Sequence, residues 1–207
     1  MENEPTVFVV DDDPAVRKAL KLPIKSVGLN VESFASAREF LDAYDPARPG
    51  CLVVDVRMPG MDGLDLQEKL SALPGSIPMI FITGHGDIEM AVRAVQKGAV
   101  DFIEKPFRDQ VLLDRIAEAI ELDKDHRRRQ ARRAELATRL ALLTPRERAV
   151  MNLVVAGKAN KVIASELGLS RKTVEFHRAH VMEKMRADSV AELTQLAMAA
   201  GAAQAIS

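Results

Sequence analysis

The sequence predicts an α/β chain in two parts: a doubly wound domain with a five-stranded parallel sheet at residues 1–122, and an all-α domain of four helices at residues 143–207. Three observations predict this. In the first part, short β-branched apolar runs alternate with helical patterns. The second part contains helical patterns alone. The segment between them, residues 123–142, has no Gly or Pro and is predicted to be a long helical linker.

The predicted strands lie near residues 6–10, 30–34, 51–54, 79–83 and 100–104, and the helices near 14–27, 36–44, 64–72, 87–97 and from 108 onward. Five such units predict a flavodoxin-like (βα)5 sheet, in which ligands bind at the carboxyl ends of the strands. Asp13 before Pro14 is typical of a helix N-terminus. Pro23 lies inside the first helix, where we expect a bend or a restart.

Polar residues follow four of these apolar runs: Asp11, Asp12 and Asp13 after TVFVV, Asp55 after CLVV, Thr83 after MIFI and Lys105 after VDFIE. Since parallel strands end at one edge of the sheet, we expect these side chains to converge there. The first two carboxylates are suited to Mg²⁺ or Mn²⁺. Asp55 is a candidate nucleophile toward phosphorus, with the hydroxyl and the ammonium binding the phosphoryl oxygens. The pattern predicts a phosphate-handling site.

The motifs VVDDD, DVRMPGMDG, FITGHGD and DFIEKPF occur in the order and spacing of a known family. With them, residues 1–122 resemble the receiver domain of bacterial two-component response regulators. An isolated Asp pair would more simply be a helix cap and a solvated charge. Four motifs in order favour the receiver instead.

The resemblance implies a role for each site residue. It makes Asp12 a direct metal ligand, Asp11 a ligand through water, and Asp55 both ligand and phosphoacceptor, with the carbonyl of Arg57 completing the protein ligands. Lys105 and Thr83 would stabilise the phosphoryl group, and Phe102 would be the switch aromatic that follows Thr83. The dimer face would include Ile88, Val92 and Val95, which an amphipathic helix would equally place in the core.

Composition favours no membrane partner and a cytoplasmic protein. The chain has 207 residues with 47% hydrophobic content, and no apolar run reaches membrane-spanning length. The start, MENEPTVF, carries no signal-like region. Its one cysteine, Cys51, begins an apolar run, which favours buried packing over redox sensing.

The net charge of −1 conceals an asymmetry along the chain. Residues 1–122 hold 13 basic and 21 acidic side chains, residues 123–139 hold 7 and 3, and residues 140–207 hold 9 and 6. The basic carboxyl-terminal third indicates a polyanionic partner. For the arginines of the HRRRQARR segment, a solvated helix surface and nucleic-acid contact both remain open: Arg127, Arg128, Arg129, Arg132 and Arg133.

The second domain shows four helices with recognisable ends. Thr144, Pro145 and Glu147 have the spacing of a capping box before a helix that ends at Gly157. The helix ANKVIASEL ends at Gly168, and Ser170 caps the helix RKTVEFHRAHVMEKM. A last helix follows Ser189 and is expected to end at Gly201. The two central helices form a helix-turn-helix, whose second helix enters the major groove of DNA.

Residues 143–201 resemble the LuxR-type output domain, and its combination with a receiver resembles the FixJ/NarL class of regulators. Within that class, the sequence motifs are most similar to those of FixJ-type regulators. The resemblance implies that Thr173, Glu175, Phe176 and Ala179 face the bases. Candidates for phosphate contact are Lys161, Arg171, Lys172, His177, Arg178 and Lys184. NarL-like proteins carry Lys where this chain has Glu175 and Ala179, so we expect a different DNA preference, with Glu175 favouring a cytosine amino group.

The sequence thus predicts a response regulator that a sensor histidine kinase phosphorylates on Asp55. It would then dimerise, bind promoter DNA and activate transcription by RNA polymerase, with oxygen-responsive nitrogen-fixation or microaerobic genes implied by the FixJ resemblance. The alternative is a constitutive DNA-binding regulator independent of phosphorylation. We do not expect an enzyme beyond slow self-dephosphorylation, because Val56 and Arg57 supply no acid or base two residues after the nucleophile.

Overall fold

The structure is a computed structural model that describes residues 4–73, 75, 77–84 and 88–204. The chain divides into two compact units, Met1–Arg127 and Arg128–Ser207. The division falls inside the predicted linker. Residues 85–87 of the FITGHGD motif lie outside the described residues.

The first unit contains one parallel sheet. Its strands are β1 (Thr6–Val10), β2 (Asn30–Phe34), β3 (Gly50–Asp55), β4 (Met79–Thr83) and β5 (Asp101–Glu104). The order β2-β1-β3-β4-β5 is that of a flavodoxin-like fold. The predicted fold class is confirmed. Because the order reverses between β1 and β3, their carboxyl ends, with Asp11 and Asp55, meet at the switch point.

The helices of this unit are α1 (Pro14–Ser26), α2 (Ala37–Ala43), α3 (Gly63–Ser71) and α4 (Ile88–Gln96), and α5 (Asp109–Ala141) begins in it and continues into the second unit. The predicted cap is present, since the amide of Ala15 donates to Oδ1 of Asp13 at 2.8 Å. The helix does not restart at Pro23. Only three residues follow this proline in α1, and the hydroxyl of Ser26 donates to its carbonyl at 2.7 Å. The linker continues α5 as one helix, as predicted.

Alternation along the strands produces two cores, one on each face of the sheet. Val7 and Val9 of β1 face α1 and α5, whereas Phe8 and Val10 face the other helices. Cys51 of β3 lies on the α1 side with no exposed surface. Its burial raises the thiol pKa far above the ordinary value. The prediction that it is a packing residue agrees with this environment.

The second unit contains helices α6 (Pro145–Val155), α7 (Asn160–Leu167), α8 (Arg171–Met185) and α9 (Val190–Gln204). The predicted capping box is formed: Thr144 and Glu147 exchange hydrogen bonds between side chain and backbone. Ser170 caps α8 as predicted. The prediction that α9 ends at Gly201 is wrong, because one glycine costs only about 1 kcal/mol and helix-favouring alanines follow it.

The core of the second unit joins the four helices to the end of α5. Leu136 of α5 and Leu143 pack with Val150, Val174 and Val181. Among the described residues, no helix combines the length and the apolar composition needed to cross a bilayer.

Candidate functional site

The structure brings Asp11, Asp55 and Lys105 into direct contact at the carboxyl end of the sheet. Nζ of Lys105 lies 2.9 Å from Oδ2 of Asp11 and 2.8 Å from Oδ1 of Asp55. Asp11 follows β1, Asp55 ends β3 and Lys105 follows β5, so one ammonium group joins the ends of three strands. In the sequence, Lys105 lies 94 positions after Asp11 and 50 positions after Asp55. The predicted convergence is therefore present.

Burial sets the electrostatics of this cluster. Asp11 is 1% exposed and Asp55 is 7% exposed. Burial raises the pKa of Asp11 above its ordinary value, while its hydrogen bonds to Lys105 and to a backbone amide act in the opposite direction. For Lys105, burial acts to lower the pKa, but the hydrogen bonds and charges of the two carboxylates together raise it. The lysine is therefore held in its charged form.

Backbone amides orient two of the carboxylates, and one arginine binds the main chain that carries the acidic cluster. The amide of Asp13 donates to Oδ1 of Asp11, and the amide of Arg57 donates to Oδ2 of Asp55, both at 2.9 Å. Nη1 of Arg17 donates to the backbone carbonyls of Asp11 at 2.6 Å and Asp12 at 3.0 Å. Sequence reasoning missed Arg17. Its position one helical turn after the acidic cluster was the available signal.

The residues present fit a divalent cation by charge and donor type. Two buried carboxylates share one ammonium, and the exposed carboxylate of Asp12 adds a further negative charge beside them. Hard oxygen donors of this kind suit Mg²⁺ or Mn²⁺. Within the described residues, however, no group of three or more His, Cys, Asp and Glu side chains already forms a metal-binding cluster. Lys105 contacts both of the buried carboxylates.

Close packing behind Asp55 explains the glycine that ends the DVRMPGMDG motif. A Cβ atom on Gly63 would lie 2.6 Å from the carbonyl oxygen of Asp55 and 3.0 Å from the ring of Phe81. The amide of Gly63 also donates to the carbonyl of Val56 at 2.9 Å. Glycine at this position lets α3 begin directly against the backbone of the candidate phosphoacceptor.

The two predicted switch residues lie on neighbouring strands: Thr83 is the last residue of β4, and Phe102 lies within β5. Thr83 is 2% exposed. Phe102 is half-buried and packs against the core, with its ring centroid 6.4 Å from that of Phe81. Phe81 and Phe102 are register partners in the β4–β5 pair. Phe102 therefore lies between the core and the surface that β5 shares with α4.

The predicted dimer face on α4 is partly described. Val92 is 48% exposed and Val95 is 52% exposed, so neither is a core residue, whereas Ala94 between them is fully buried. The side chain of Ile88 lies outside the described residues. The two valines form an exposed apolar surface on α4.

The predicted DNA-reading residues lie on α8. Arg171, Lys172, Glu175, Phe176 and Ala179 are all exposed. Thr173 is half-buried, and its hydroxyl lies 2.8 Å from that of the capping residue Ser170. Lys161, at the start of α7, is exposed. One face of α8 thus presents basic residues in its first turn, followed by acidic, aromatic and small side chains.

Three predicted phosphate-contact residues have other environments. Nζ of Lys184 lies 2.6 Å from Oε2 of Glu147. Nη1 of Arg178 donates to Oδ1 of Asn160 at 2.7 Å. Nδ1 of His177 is buried and has no hydrogen-bond partner among the described residues. Lys184 is thus part of a contact between α6 and α8, which helical spacing alone did not reveal.

The first arginine of the basic segment also has a structural partner. Nε of Arg127 donates to Oδ2 of the buried Asp123 at 2.7 Å. Its other nitrogens donate to the carbonyls of Ala47 and Arg48 at 3.1 and 2.6 Å. Asp123 also accepts a hydrogen bond from the amide of Gly50 at 2.9 Å. The guanidinium of Arg127 therefore joins α5 to the loop before β3. This environment is neither the solvated helix surface nor the nucleic-acid contact that the sequence left open for the basic segment.

Comparison with known proteins agrees with both units. Residues 7–117 match the family described as "Response regulator receiver domain", and residues 141–197 match "Bacterial regulatory proteins, luxR family". Nodulation protein W of Bradyrhizobium diazoefficiens is 52% identical over 94% of this chain and 86% of its own. The transcriptional regulatory protein FixJ of the same organism is 45% identical over 94% and 95%.

Solved structures give the same result. The response regulator StyR has a TM-score of 0.88 at 45% identity, with 94% of this chain and 98% of that chain covered. Full-length FixJ from B. japonicum has a TM-score of 0.59 at 44% identity, with 96% and 98% covered. The receiver and the helix-turn-helix domain therefore occur together in one known combination of domains. The chain is a member of the two-component response regulators, a non-enzymatic family here combining a receiver with a LuxR-type DNA-binding domain that regulates transcription.

Proposed function

We propose that Asp55 is the phosphoacceptor of this response regulator and that its phosphorylation drives dimerisation and promoter binding. The observation that carries the proposal is the shared contact of Lys105 with Asp11 and Asp55. A charged lysine beside a carboxylate at the switch point of a doubly wound sheet is suited to hold a phosphoryl group there.

The transfer step follows from this geometry. A carboxylate oxygen of Asp55 attacks the phosphorus of a phosphohistidine on the sensor kinase. The P–O bond forms as the P–N bond breaks, and the histidine nitrogen keeps the electron pair. Lys105 and the hydroxyl of Thr83 bind the phosphoryl oxygens, while the amide of Arg57 fixes the carboxylate before attack. Positioning and charge neutralisation are the main requirements of phosphoryl transfer.

Asp11, Asp12, Asp55 and the carbonyl of Arg57 would hold Mg²⁺ or Mn²⁺. When bound, such an ion neutralises the negative charge that otherwise opposes the approach of phosphate to three carboxylates. The amide of Asp13 orients the carboxylate of Asp11, and the guanidinium of Arg17 holds the main chain at Asp11 and Asp12.

The output is a change at the surface of α4 and β5. Thr83 moves toward the phosphoryl group, Phe102 follows inward, and the surface with Ile88, Val92 and Val95 becomes a dimer interface. Two output domains then bind two related half-sites, as paired helix-turn-helix modules require. The bound dimer activates transcription by RNA polymerase.

The partners follow from this sequence of events. They are a sensor histidine kinase, promoter DNA and RNA polymerase, all reached in the cytoplasm. The name of the relative Nodulation protein W supports nodulation genes as targets. The resemblance to FixJ-type regulators implies oxygen-responsive control of nitrogen-fixation or microaerobic genes instead.

The test is the molar mass of the full chain by light scattering, with Mg²⁺ alone and with Mg²⁺ plus a small phosphodonor. We expect a doubling only with the phosphodonor, and none for Asp55→Asn. Mass spectrometry of the same samples confirms that one phosphoryl group is added to the wild type. If phosphorylated wild type keeps its mass and its DNA affinity, the proposal is overturned. A dimer that is constitutive and indifferent to Asp55→Asn would support the phosphorylation-independent alternative.

A further inference from the structure

The exposed face of α8 carries an aromatic ring held by a second ring. Phe176 is 57% exposed. Its ring centroid lies 4.1 Å from that of His180 and 5.9 Å from that of His177. His180 follows Phe176 by four positions, so the two side chains are neighbours on the helix surface. A scattered apolar side chain needs no explanation, but this one lies on the helix that enters the major groove.

A buried carboxylate in turn lies beside His180. Nδ1 of His180 lies 3.5 Å from Oε1 of Glu147, which is only 3% exposed. The other carboxylate oxygen of Glu147 accepts hydrogen bonds from the backbone amide of Thr144 and from Lys184. The orientation of the His180 ring is therefore linked to the N-terminal cap of α6. Through His180, the same contacts restrict the ring of Phe176.

The chemistry of the ring selects its partner. Phenylalanine has no hydrogen-bond donor or acceptor, so it cannot read the polar edge of a base. Among the four bases, only thymine presents an apolar group in the major groove, its C5-methyl group. The exposed Ala179, three positions after Phe176, adds a small apolar surface beside the ring.

We propose that Phe176 selects a thymine through its C5-methyl group and that His180 is the positioning residue that orients the ring. This inference rests on the proposed contact between α8 and DNA. It specifies which base the helix contacts, a thymine, and which group of that base, the C5-methyl. It also assigns a positioning role to His180.

The experiment uses the full chain with Mg²⁺ and a phosphodonor. A binding site is first selected from random-sequence duplexes. Each thymine of that site is then replaced, one at a time, by deoxyuridine, which lacks only the methyl group. At one thymine in each half-site we expect the wild type to lose affinity roughly four-fold, the change that corresponds to about 0.8 kcal/mol for one buried methyl group.

Protein variants identify the reader. Phe176→Ala should bind the thymine and uracil duplexes equally at that position, whereas Phe176→Leu should keep part of the preference. His180→Ala should reduce the thymine-to-uracil ratio at the same position, and His180→Phe, which keeps a ring, should restore it. The matched control is Val162→Ala on α7, which removes another exposed apolar side chain and should leave the ratio unchanged; Val162 is 39% exposed.

The outcomes separate this inference from the function on which it rests. If Phe176→Ala weakens thymine and uracil duplexes by the same factor, the ring contacts the DNA backbone or a protein, and the inference is overturned. A selected site with no uracil-sensitive position also overturns it, while DNA binding stands. If no sequence is enriched, both this inference and the proposed function fail.

Discussion

Lys184 in the last turn of α8 and Glu147 in the first turn of α6 form an ion pair, with Nζ of the lysine 2.6 Å from Oε2 of the glutamate. The glutamate side chain is 4% exposed and that of the lysine 31%. The same glutamate caps α6 through Thr144. One carboxylate therefore stabilises the start of α6 and pairs with the end of α8.

Replacing Lys184 with Met should destabilise the second unit. The change removes a hydrogen bond between charged groups and leaves Glu147 buried without its cation, so we expect the free energy of unfolding to fall by about 1.5–3 kcal/mol. Urea unfolding followed by circular dichroism measures this loss. The salt dependence of DNA affinity should stay that of the wild type, and a shallower slope would return Lys184 to the phosphate contacts.

Lys172→Ala is the matched opposite case, because Lys172 is exposed in the first turn of α8. We expect little change in stability. Affinity should fall for all DNA sequences, and the slope of log affinity against log salt should decrease by about one, since one phosphate contact is lost. Fluorescence anisotropy at several salt concentrations measures the slope. If the slope is unchanged, Lys172 does not contact phosphate.

Acid should destabilise the second unit through Glu147. The hydrogen bond from Lys184 is the largest cause that lowers the pKa of Glu147, from 4.5 to about 2. A lowered pKa means that the native state binds fewer protons than the unfolded state, so this stabilisation is present above pH 4.5 and is lost as the pH falls toward 2. The free energy of unfolding of Glu147→Gln, measured at several pH values, should lack this dependence on pH. Equal pH profiles for the variant and the wild type would show that Glu147 is not the source of the acid destabilisation.

Asp11 should act in the opposite direction in the receiver. Burial raises its pKa, so the native state holds the proton more tightly than the unfolded state. Relative to Asp11→Asn, the metal-free wild type should lose stability as the pH rises from below 3.8 through the raised pKa. Denaturant unfolding in a chelator at several pH values measures the difference. A wild type that gains stability over this range would be inconsistent with a carboxylate destabilised by burial.

Arg127→Met should separate a structural arginine from the rest of the basic segment. It removes hydrogen bonds to Asp123 and to two carbonyls, so we expect the first unit to lose about 1.5–3 kcal/mol of unfolding free energy. Arg129→Met is the control, because Arg129 is exposed and its loss should change stability by less than about 0.5 kcal/mol. Similar effects of both changes on unfolding would remove the distinction.

Local signals predicted most of the fold. Short apolar runs between helical patterns predicted the five-stranded sheet, and Asp13, Thr144 and Ser170 were predicted as caps because capping depends on residues three or fewer positions away. The continuation of α9 beyond Gly201 was missed, since a glycine signals a helix end only where the chain after it turns away.

Contacts between distant residues were the part that the sequence did not predict. Lys105 was predicted to bind phosphate, but its contacts with Asp11 and Asp55 depend on the strand order. The pairing of Glu147 with Lys184 depends on how α6 packs against α8. Asp123 and Arg127 were read only as charges of a linker, because nothing near them in sequence indicates the loop before β3.

The burial of Cys51 makes this chain convenient for spectroscopic labelling. Only a thiolate reacts readily with maleimide or nitroxide reagents, and a fully buried thiol with a raised pKa stays protonated and inaccessible. A single cysteine introduced at an exposed position away from the proposed dimer face, such as Leu22 on α1, would be the reactive thiol in this background. Dipolar distances between two such labels would then follow the association of two chains without removing the native cysteine.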